Sequence, residues 1–114
     1  MGDVTPLPLG SRSAPQIGFE RAELTRILDL YGRMVAAGHW RDYSILLDRD
    51  VAVFAAFRRA AEHPEFRIEK WPGLRHRQGM WALVNESGRI VRRGHELGPV
   101  LAPVERRLLK LVVD

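Results

Sequence analysis

The side chains most able to do chemistry in this sequence are arginines and tryptophans gathered between residues 71 and 95. This stretch contains five arginines and one acidic residue, Glu86, so it carries the whole positive excess of a chain whose net charge is +4. The planar guanidinium group matches carboxylates and phosphates, and the indole ring offers a flat face for stacking. The pattern therefore predicts recognition of an anionic partner.

Six residues form the candidate binding set, because they combine these side chains on one predicted sheet face and its adjoining loop: Trp71, Arg75, Arg77, Trp81, Arg89 and Arg93. We predict that they engage an acidic protein partner. Binding of RNA or DNA by the same surface is the alternative. A protein is favoured because +4 is a modest charge, and one arginine cluster without lysine is a small electrostatic footprint for sequence-independent nucleic-acid binding.

The sheet face belongs to a predicted β-hairpin over residues 80–85 and 89–93. A three-residue turn at residues 86–88 pairs Val84 with Ile90 and Trp81 with Arg93. The predicted core face carries Met80, Ala82, Val84 and Ile90, with Arg92 at its edge. The other face carries Trp81, Leu83, Arg89, Val91 and Arg93, joined by Arg67, Glu69 and Trp71 from the preceding strand. For this second face, the favoured interpretation is that a helix covers Trp81, Leu83 and Val91 while the arginine heads reach solvent.

Residues for other kinds of chemistry are scarce. The absence of cysteine excludes disulfides, thiolate zinc sites, iron–sulfur clusters and cysteine nucleophiles. The four histidines, His39, His63, His76 and His95, lack the short spacing that puts two metal ligands on one helix face. We therefore predict that the protein is not an enzyme and has no catalytic residue, metal or cofactor.

Two short clusters have both a structural and a functional interpretation. The run Trp40-Arg41-Asp42-Tyr43 suits a ligand-binding corner, but anchoring of a helix-to-sheet turn by the two aromatic rings is favoured. The pair Arg58-Arg59 lies near Glu62 and Glu65, which favours a mixed-sign surface over a basic site.

Hydrophobic periodicity indicates the elements that position these residues. Apolar residues recur at three- and four-residue steps over residues 20–37, which predicts an amphipathic helix. Apolar runs then predict strands over residues 43–47, 51–57, 66–71, 80–85 and 89–93. Helical spacing returns from Pro99, although Pro103 limits how straight that helix can be. This order predicts an α+β domain with an N-terminal amphipathic helix, an antiparallel meander of about five strands and a short C-terminal helix.

Gly32 interrupts the predicted N-terminal helix, where a glycine costs about 1 kcal/mol relative to alanine. Because Tyr31 and Met34 flank it, we predict that another backbone packs closely against it. The alternative is that the helix tolerates the cost of this glycine without any close contact.

Residues 1–18 are rich in proline, glycine and serine and lack any apolar period, which predicts a disordered tail before a single domain over residues 19–114. They lack the basic start and the apolar run of a secretory signal. No apolar stretch approaches the length of a membrane span. We expect a cytoplasmic protein that does not bind membranes, and its oligomeric state stays open.

Several short runs carry a resemblance over roughly residues 19–101: Leu30-Tyr31-Gly32-Arg33-Met34-Val35-Ala36-Ala37-Gly38, Trp40-Arg41-Asp42-Tyr43, Phe57-Arg58-Arg59-Ala60, Arg67-Ile68-Glu69-Lys70, Arg77-Gln78-Gly79 and Arg93-Gly94-His95-Glu96-Leu97. Together they resemble a small bacterial family catalogued only as a domain of unknown function, number 2794 of that series. The resemblance implies a bacterial, cytosolic, single-domain protein. It implies no activity, ligand or functional residue.

Overall fold

The computed structural model describes residues 17–59 and 63–113. Its elements are α1 (Arg21–Ala36), β1 (Asp42–Leu47), β2 (Ala52–Phe57), β3 (Phe66–Lys70), β4 (Trp81–Asn85), β5 (Ile90–Gly94) and α2 (Leu97–Val113). A short 3-10 helix, Pro72–Leu74, lies between β3 and β4. The predicted α+β class and the order of helix, five strands and helix are confirmed.

The strands form one sheet in the order β1-β2-β3-β4-β5, and every neighbouring pair is antiparallel. The predicted meander is therefore confirmed. Phe54 lies opposite Ile68, and Ile68 lies opposite Leu83, so these side chains share one face. Both helices pack on that face, where they form the core with it: Ile27, Leu30, Met34, Trp40, Phe54, Ala56, Ile68, Trp81, Leu83, Val100, Leu101, Val104 and Leu108.

We call the opposite side of the sheet the open face, because neither described helix packs on it. The strand register assigns to it Val53, Ala55, Arg67, Glu69, Ala82, Val84, Ile90 and Arg93. Ala82 and Val84 are nonetheless buried. They are small residues on β4, an interior strand, and longer side chains of the neighbouring strands, such as Arg67, flank them.

The predicted face assignment of the hairpin is wrong. Trp81 and Leu83 are 2% and 0% exposed and lie in the core beneath the helices. The physical reason is that directly opposed residues of antiparallel strands point to the same side, so Ile68 and Leu83 enter the core together. The favoured interpretation of the second face, in which a helix covers Trp81 and Leu83, is correct for these two residues, but it fails for Val91, which is 42% exposed.

A β-bulge explains the behaviour of Val91. Val84 pairs with Ile90 as predicted, but Leu83 pairs with Arg92. The shift leaves Val91 without an opposed residue and moves every later pair by one position. Arg92 therefore lies on the helix side rather than at the edge of the face that carries Ala82. Arg93 lies opposite Ala82 on the open face, where the register also places Arg67 and Glu69.

The start of α1 is tied to β3 by a buried lysine. The Glu23 carboxylate accepts a hydrogen bond from the Glu20 backbone N–H at 2.8 Å, which caps the helix. The same oxygen, Oε1, accepts from Lys70 Nζ at 2.7 Å, and Lys70 also donates to the Gly18 carbonyl at 2.9 Å. Lys70 is 6% exposed, so this ion pair is shielded from water.

The predicted tail meets the fold near this ion pair. The Ile17 N–H donates to the Asp48 carbonyl at 2.7 Å, and the Gly18 carbonyl binds Lys70. Ile17 and Gly18, which were assigned to the tail, therefore contact the folded domain. The remaining tail residues, 1–16, lie outside the described residues.

Helix α2 contains the predicted proline, and an arginine compensates for it. Pro103 has no N–H, so it cannot donate to the carbonyl of Pro99, four residues earlier. Arg92 Nη1 donates to that carbonyl instead, at 3.2 Å. The side chain that the bulge moves to the helix side thus supplies the hydrogen bond that the proline removes.

Gly32 lies in open space. A Cβ atom added to it would meet no atom within 4 Å, its own helix backbone aside. The prediction that another backbone of this chain presses against Gly32 is therefore wrong, because Gly32 is exposed while Ile27, Leu30 and Met34 form the buried stripe of α1.

Candidate functional site

The loop between β3 and β4 presents the most concentrated positive charge of the predicted site. Pro72 is the first residue of the 3-10 helix, and the fixed φ of proline suits that position. The Arg77 and Gly79 N–H groups both donate to the Leu74 carbonyl at 3.0 Å, which closes the loop on itself. Residues 75–78, which we call the basic loop, are all exposed: Arg75, His76, Arg77 and Gln78.

The basic loop is attached to the end of β5 by a contact between two glycines. Gly79 has φ +105°, a conformation that favours glycine, and a Cβ atom there would lie 2.5 Å from the Gly94 carbonyl carbon. Two hydrogen bonds reinforce the contact: Arg93 Nη1 donates to the Gly79 carbonyl at 3.3 Å, and His95 Nδ1 lies 3.2 Å from the Arg75 carbonyl. Because a carbonyl only accepts, the His95 contact requires a proton on Nδ1.

The open face extends this charged region. Glu69 accepts hydrogen bonds from Arg67 Nε at 3.1 Å and from Trp71 Nε1 at 2.9 Å, so one carboxylate orients a guanidinium and an indole. Trp71 is half-buried and Arg67 is partly exposed. We call the whole region the basic surface, and it comprises Arg67, Trp71, Arg75, Arg77 and Arg93, with Glu69 between them.

The structure brings together four of the six predicted binding residues and separates two. Trp71, Arg75, Arg77 and Arg93 meet where β3 and β5 end. Trp81 is a core residue, stacked with Phe19 at 6.2 Å between ring centroids, so its assignment as a binding residue is wrong. Arg89 lies at the opposite end of β5, where its N–H donates to Asn85 Oδ1 at 3.0 Å in the hairpin turn. Arg89 was assigned to the site because a regular strand over residues 89–93 would put Arg89 and Arg93 on the same face.

A second polar cluster went unnoticed in the sequence. The Glu65 carboxylate is 8% exposed and accepts hydrogen bonds from Trp40 Nε1 at 2.7 Å and from Arg107 Nη1 at 2.9 Å. Arg107 Nη2 also lies 3.1 Å from His39 Nδ1. These residues come from three distant parts of the chain, so no local spacing could reveal the cluster. It joins α2 to the segment that precedes β3.

The Trp40-Arg41-Asp42-Tyr43 run anchors the turn from α1 to β1. Trp40 is 1% exposed, and the Tyr43 ring stacks on Phe54 at 5.0 Å. Arg41 and Asp42 are exposed. The favoured anchoring interpretation is therefore confirmed. Tyr31 packs against Tyr43, and its pKa is raised above the usual range, first by burial and then by the Asp42 carboxylate.

Two cavities formed by described residues lie away from the basic surface. A cavity of about 370 Å³ is lined by Arg58, Arg59, His63 and Glu86, and another of about 700 Å³ lies on the far side of the same two arginines, towards His39 and Arg41. Arg58 forms an ion pair with Glu86 at 2.7 Å, as a mixed-sign surface requires. Of the two acidic residues in that prediction, Glu65 lies 3.9 Å from Arg58 between charged atoms, and Glu62 lies outside the described residues.

The described ranges hold neither a metal-binding cluster nor a membrane-spanning helix. In residues 17–59 and 63–113, no three histidine, aspartate or glutamate side chains are placed to hold a metal ion. Neither helix in this part of the chain combines the length and the apolar content needed to traverse a bilayer.

Comparison with known proteins gives one match. A family model described as a protein of unknown function, DUF2794, matches residues 17–101, which include α1, the whole sheet and the start of α2. No curated protein and no solved structure matches the chain. The matched range contains the basic surface and both glycines of the loop contact.

Proposed function

The chain belongs to the DUF2794 family, and from its surface we propose that it is a non-enzymatic binding module that engages an acidic protein partner through the basic surface. The observation that carries the proposal is the basic loop, which presents Arg75 and Arg77 to solvent on a backbone closed by its own hydrogen bonds. Among the described residues, neither arginine forms an ion pair. Their guanidinium groups are therefore available to carboxylates.

The rigidity of the loop supports this role. The contact between Gly79 and Gly94 and the hydrogen bonds of Arg93 and His95 hold the loop before any partner arrives. A loop that is already ordered loses less conformational entropy on binding. Trp71 adds a half-buried indole beside the charges, and this combination of tryptophan and arginine is common at interface positions that dominate affinity.

Several parts of the proposal rest on sequence. A protein partner is favoured over nucleic acid because the net charge is modest and the basic surface contains no lysine. The lack of cysteine is compatible with a reducing cytoplasm, where we propose that the protein acts. Nucleic-acid binding through the same arginines is the second candidate, because guanidinium groups also match phosphates.

The test is binding of the full chain to a poly-L-glutamate peptide and to a single-stranded RNA oligomer, each measured by fluorescence anisotropy over a range of salt concentrations. The double variant Arg75→Gln, Arg77→Gln is expected to weaken poly-L-glutamate binding by roughly fivefold to tenfold, because two exposed ion pairs are worth up to about 1 kcal/mol each. The variant should keep its unfolding midpoint, since both side chains are exposed.

A matched control removes two charges elsewhere. Arg49→Gln with Arg106→Gln changes the net charge equally at exposed positions outside the basic surface and should alter binding little. Equal weakening by both double variants would contradict a localised site. Tight RNA binding that weakens linearly in log salt, with no binding of the peptide, would favour the second candidate instead.

A further inference from the structure

The cavity of about 700 Å³ beside α1, β1 and β2 has a strongly basic lining. Its charged side chains are all arginines: Arg41, which precedes β1, and Arg58 and Arg59, which follow β2. Among the described residues, no carboxylate lines it. The volume falls in the range of roughly 300–1,000 Å³ that is usual for small-molecule sites, and guanidinium groups suit an anionic ligand. We call this space the arginine cavity.

The strand register brings two of these arginines side by side. Asp42 pairs with Phe57, and the Arg41 N–H donates to the Phe57 carbonyl at 2.8 Å. The next step of the ladder therefore sets Arg41 opposite Arg58, and Arg59 follows directly. Like charges opposite each other on neighbouring strands are destabilising. Packing does not explain the arrangement, because all three arginines are exposed. A bound anion would relieve the repulsion.

The ion pairs of the described residues leave two positive charges in the arginine cavity. Arg58 binds the Glu86 carboxylate at 2.7 Å, so its charge is balanced from outside the cavity. Arg41 and Arg59 form no ion pair with any described residue. A carboxylate carries one charge and matches a single guanidinium fork, whereas a phosphate monoester carries about −1.5 to −2 at pH 7 and has three acceptor oxygens. The two unpaired arginines therefore match a phosphate monoester better than a carboxylate.

His39 adds a neutral donor to the lining of the arginine cavity. Arg107 Nη2 lies 3.1 Å from His39 Nδ1, and a guanidinium group only donates, so Nδ1 accepts and Nε2 carries the ring proton. Arg107 Nη1 donates to the buried Glu65 carboxylate at 2.9 Å, which holds the guanidinium in place. These contacts set His39 in the tautomer that can donate from Nε2.

The end of α1 beside the cavity is closed by its own backbone. A helix C-terminus carries a partial negative charge on its free carbonyl groups, which would disfavour an anion. Here the N–H groups of residues 37–40 donate to the carbonyls of residues 33–35, so these carbonyls are already paired. Gly38, at φ +84°, then turns the chain towards β1. The negative end of the helix is therefore largely neutralised at this site.

We propose that the arginine cavity binds the phosphate group of a small phosphate monoester, chiefly through Arg41 and Arg59. Arg58, which Glu86 orients, supplies a third guanidinium group. The organic part of the ligand occupies the rest of the volume, beside Val35. The site is separate from the basic surface, because β2 ends beside the start of β3 whereas the basic loop follows the end of β3. It does not depend on the proposed function.

The test is a titration of the isotope-labelled full chain followed by two-dimensional NMR, with glucose 6-phosphate as the probe and glucose as its uncharged control. The amide signals of residues 38–41 and 58–59 should shift with glucose 6-phosphate and not with glucose. The double variant Arg41→Gln, Arg59→Gln should raise the dissociation constant at least about tenfold, because it removes both unpaired charges. It should keep its unfolding midpoint, since both side chains are exposed.

Two comparisons make the test specific. Arg75→Gln with Arg77→Gln removes two charges from the basic loop instead and should change the dissociation constant for glucose 6-phosphate by less than about twofold. Glu86→Gln frees the Arg58 guanidinium and should tighten binding about threefold. Asp50→Asn changes the net charge equally at an exposed position and should leave binding unchanged.

Several results would overturn the phosphate site. Equal weakening by the two double variants would show diffuse attraction of anions to a basic protein instead of a localised site. Equal shifts with glucose, or none with glucose 6-phosphate at millimolar concentration, would rule out phosphate recognition. Inorganic phosphate bound as tightly as glucose 6-phosphate would replace the ester with the free ion. None of these results bears on poly-L-glutamate binding by the basic loop, so the two proposals can fail separately.

Discussion

Replacing Gly79 with alanine should lower the free energy of unfolding by about 3 kcal/mol and displace the basic loop. Two costs combine. A residue with a Cβ atom is strained at φ +105° by about 1–2 kcal/mol, and the new atom would lie 2.5 Å from backbone carbon of Gly94, which forces a shift of similar cost. Urea unfolding followed by circular dichroism measures the loss, and poly-L-glutamate binding reports the loop.

Gly88 provides a matched control for this substitution. It has φ +87° in the hairpin turn, but a Cβ atom there would meet nothing within 4 Å. Gly88→Ala therefore isolates the cost of the backbone conformation and should leave binding unchanged. If Gly79→Ala proves no more destabilising than Gly88→Ala, the contact with Gly94 does not hold the loop in place.

Removal of the Glu23 carboxylate should have an effect at least as large. Lys70 is only 6% exposed. In Glu23→Ala its ammonium group keeps the hydrogen bond to the Gly18 carbonyl but loses the ion pair with the Glu23 carboxylate at 2.7 Å. A buried charge left without its counter-ion typically costs 3–5 kcal/mol, and the capping hydrogen bond to Glu20 is lost as well. Thermal and urea unfolding should both show a strong loss of stability.

The double variant Glu23→Gln, Lys70→Met separates the charge effect from packing. It removes both charges while keeping side chains of similar length, so it should be clearly more stable than Glu23→Ala. The glutamine can still accept the hydrogen bond that caps α1. A double variant as unstable as Glu23→Ala would show that the unpaired charge of Lys70 is not the cause of the loss.

The fold was predictable because its signals are local. The three- and four-residue spacing of apolar residues such as Ile27, Tyr31 and Met34 indicated α1, and apolar runs indicated the strands. The registers between strands were harder, since they depend on which residues of distant strands meet. The bulge beside Val91 illustrates this: one unpaired residue moved Arg92 to the helix side, and no turn signal in the sequence announces it.

The site was predictable only where charge alone defines it. Arg75 and Arg77 stand out because they lie in a segment with almost no acidic residues. Trp81 was misplaced because an indole beside arginines looks the same in sequence whether a helix covers it or not. The contacts of Lys70 with Glu23 and of Glu65 with Trp40 and Arg107 join residues 25 to 47 positions apart, and tertiary packing alone creates them.

The meander order has a kinetic consequence. Every strand pairs with the next strand along the chain, so the sheet can grow one hairpin at a time without first closing a long loop. The link from Lys70 back to Glu23 spans 47 residues and has the higher entropic barrier to closure. The sheet is therefore expected to assemble before α1 docks on it. Because the Lys70–Glu23 contact forms late, it should lower the unfolding rate more than it raises the folding rate.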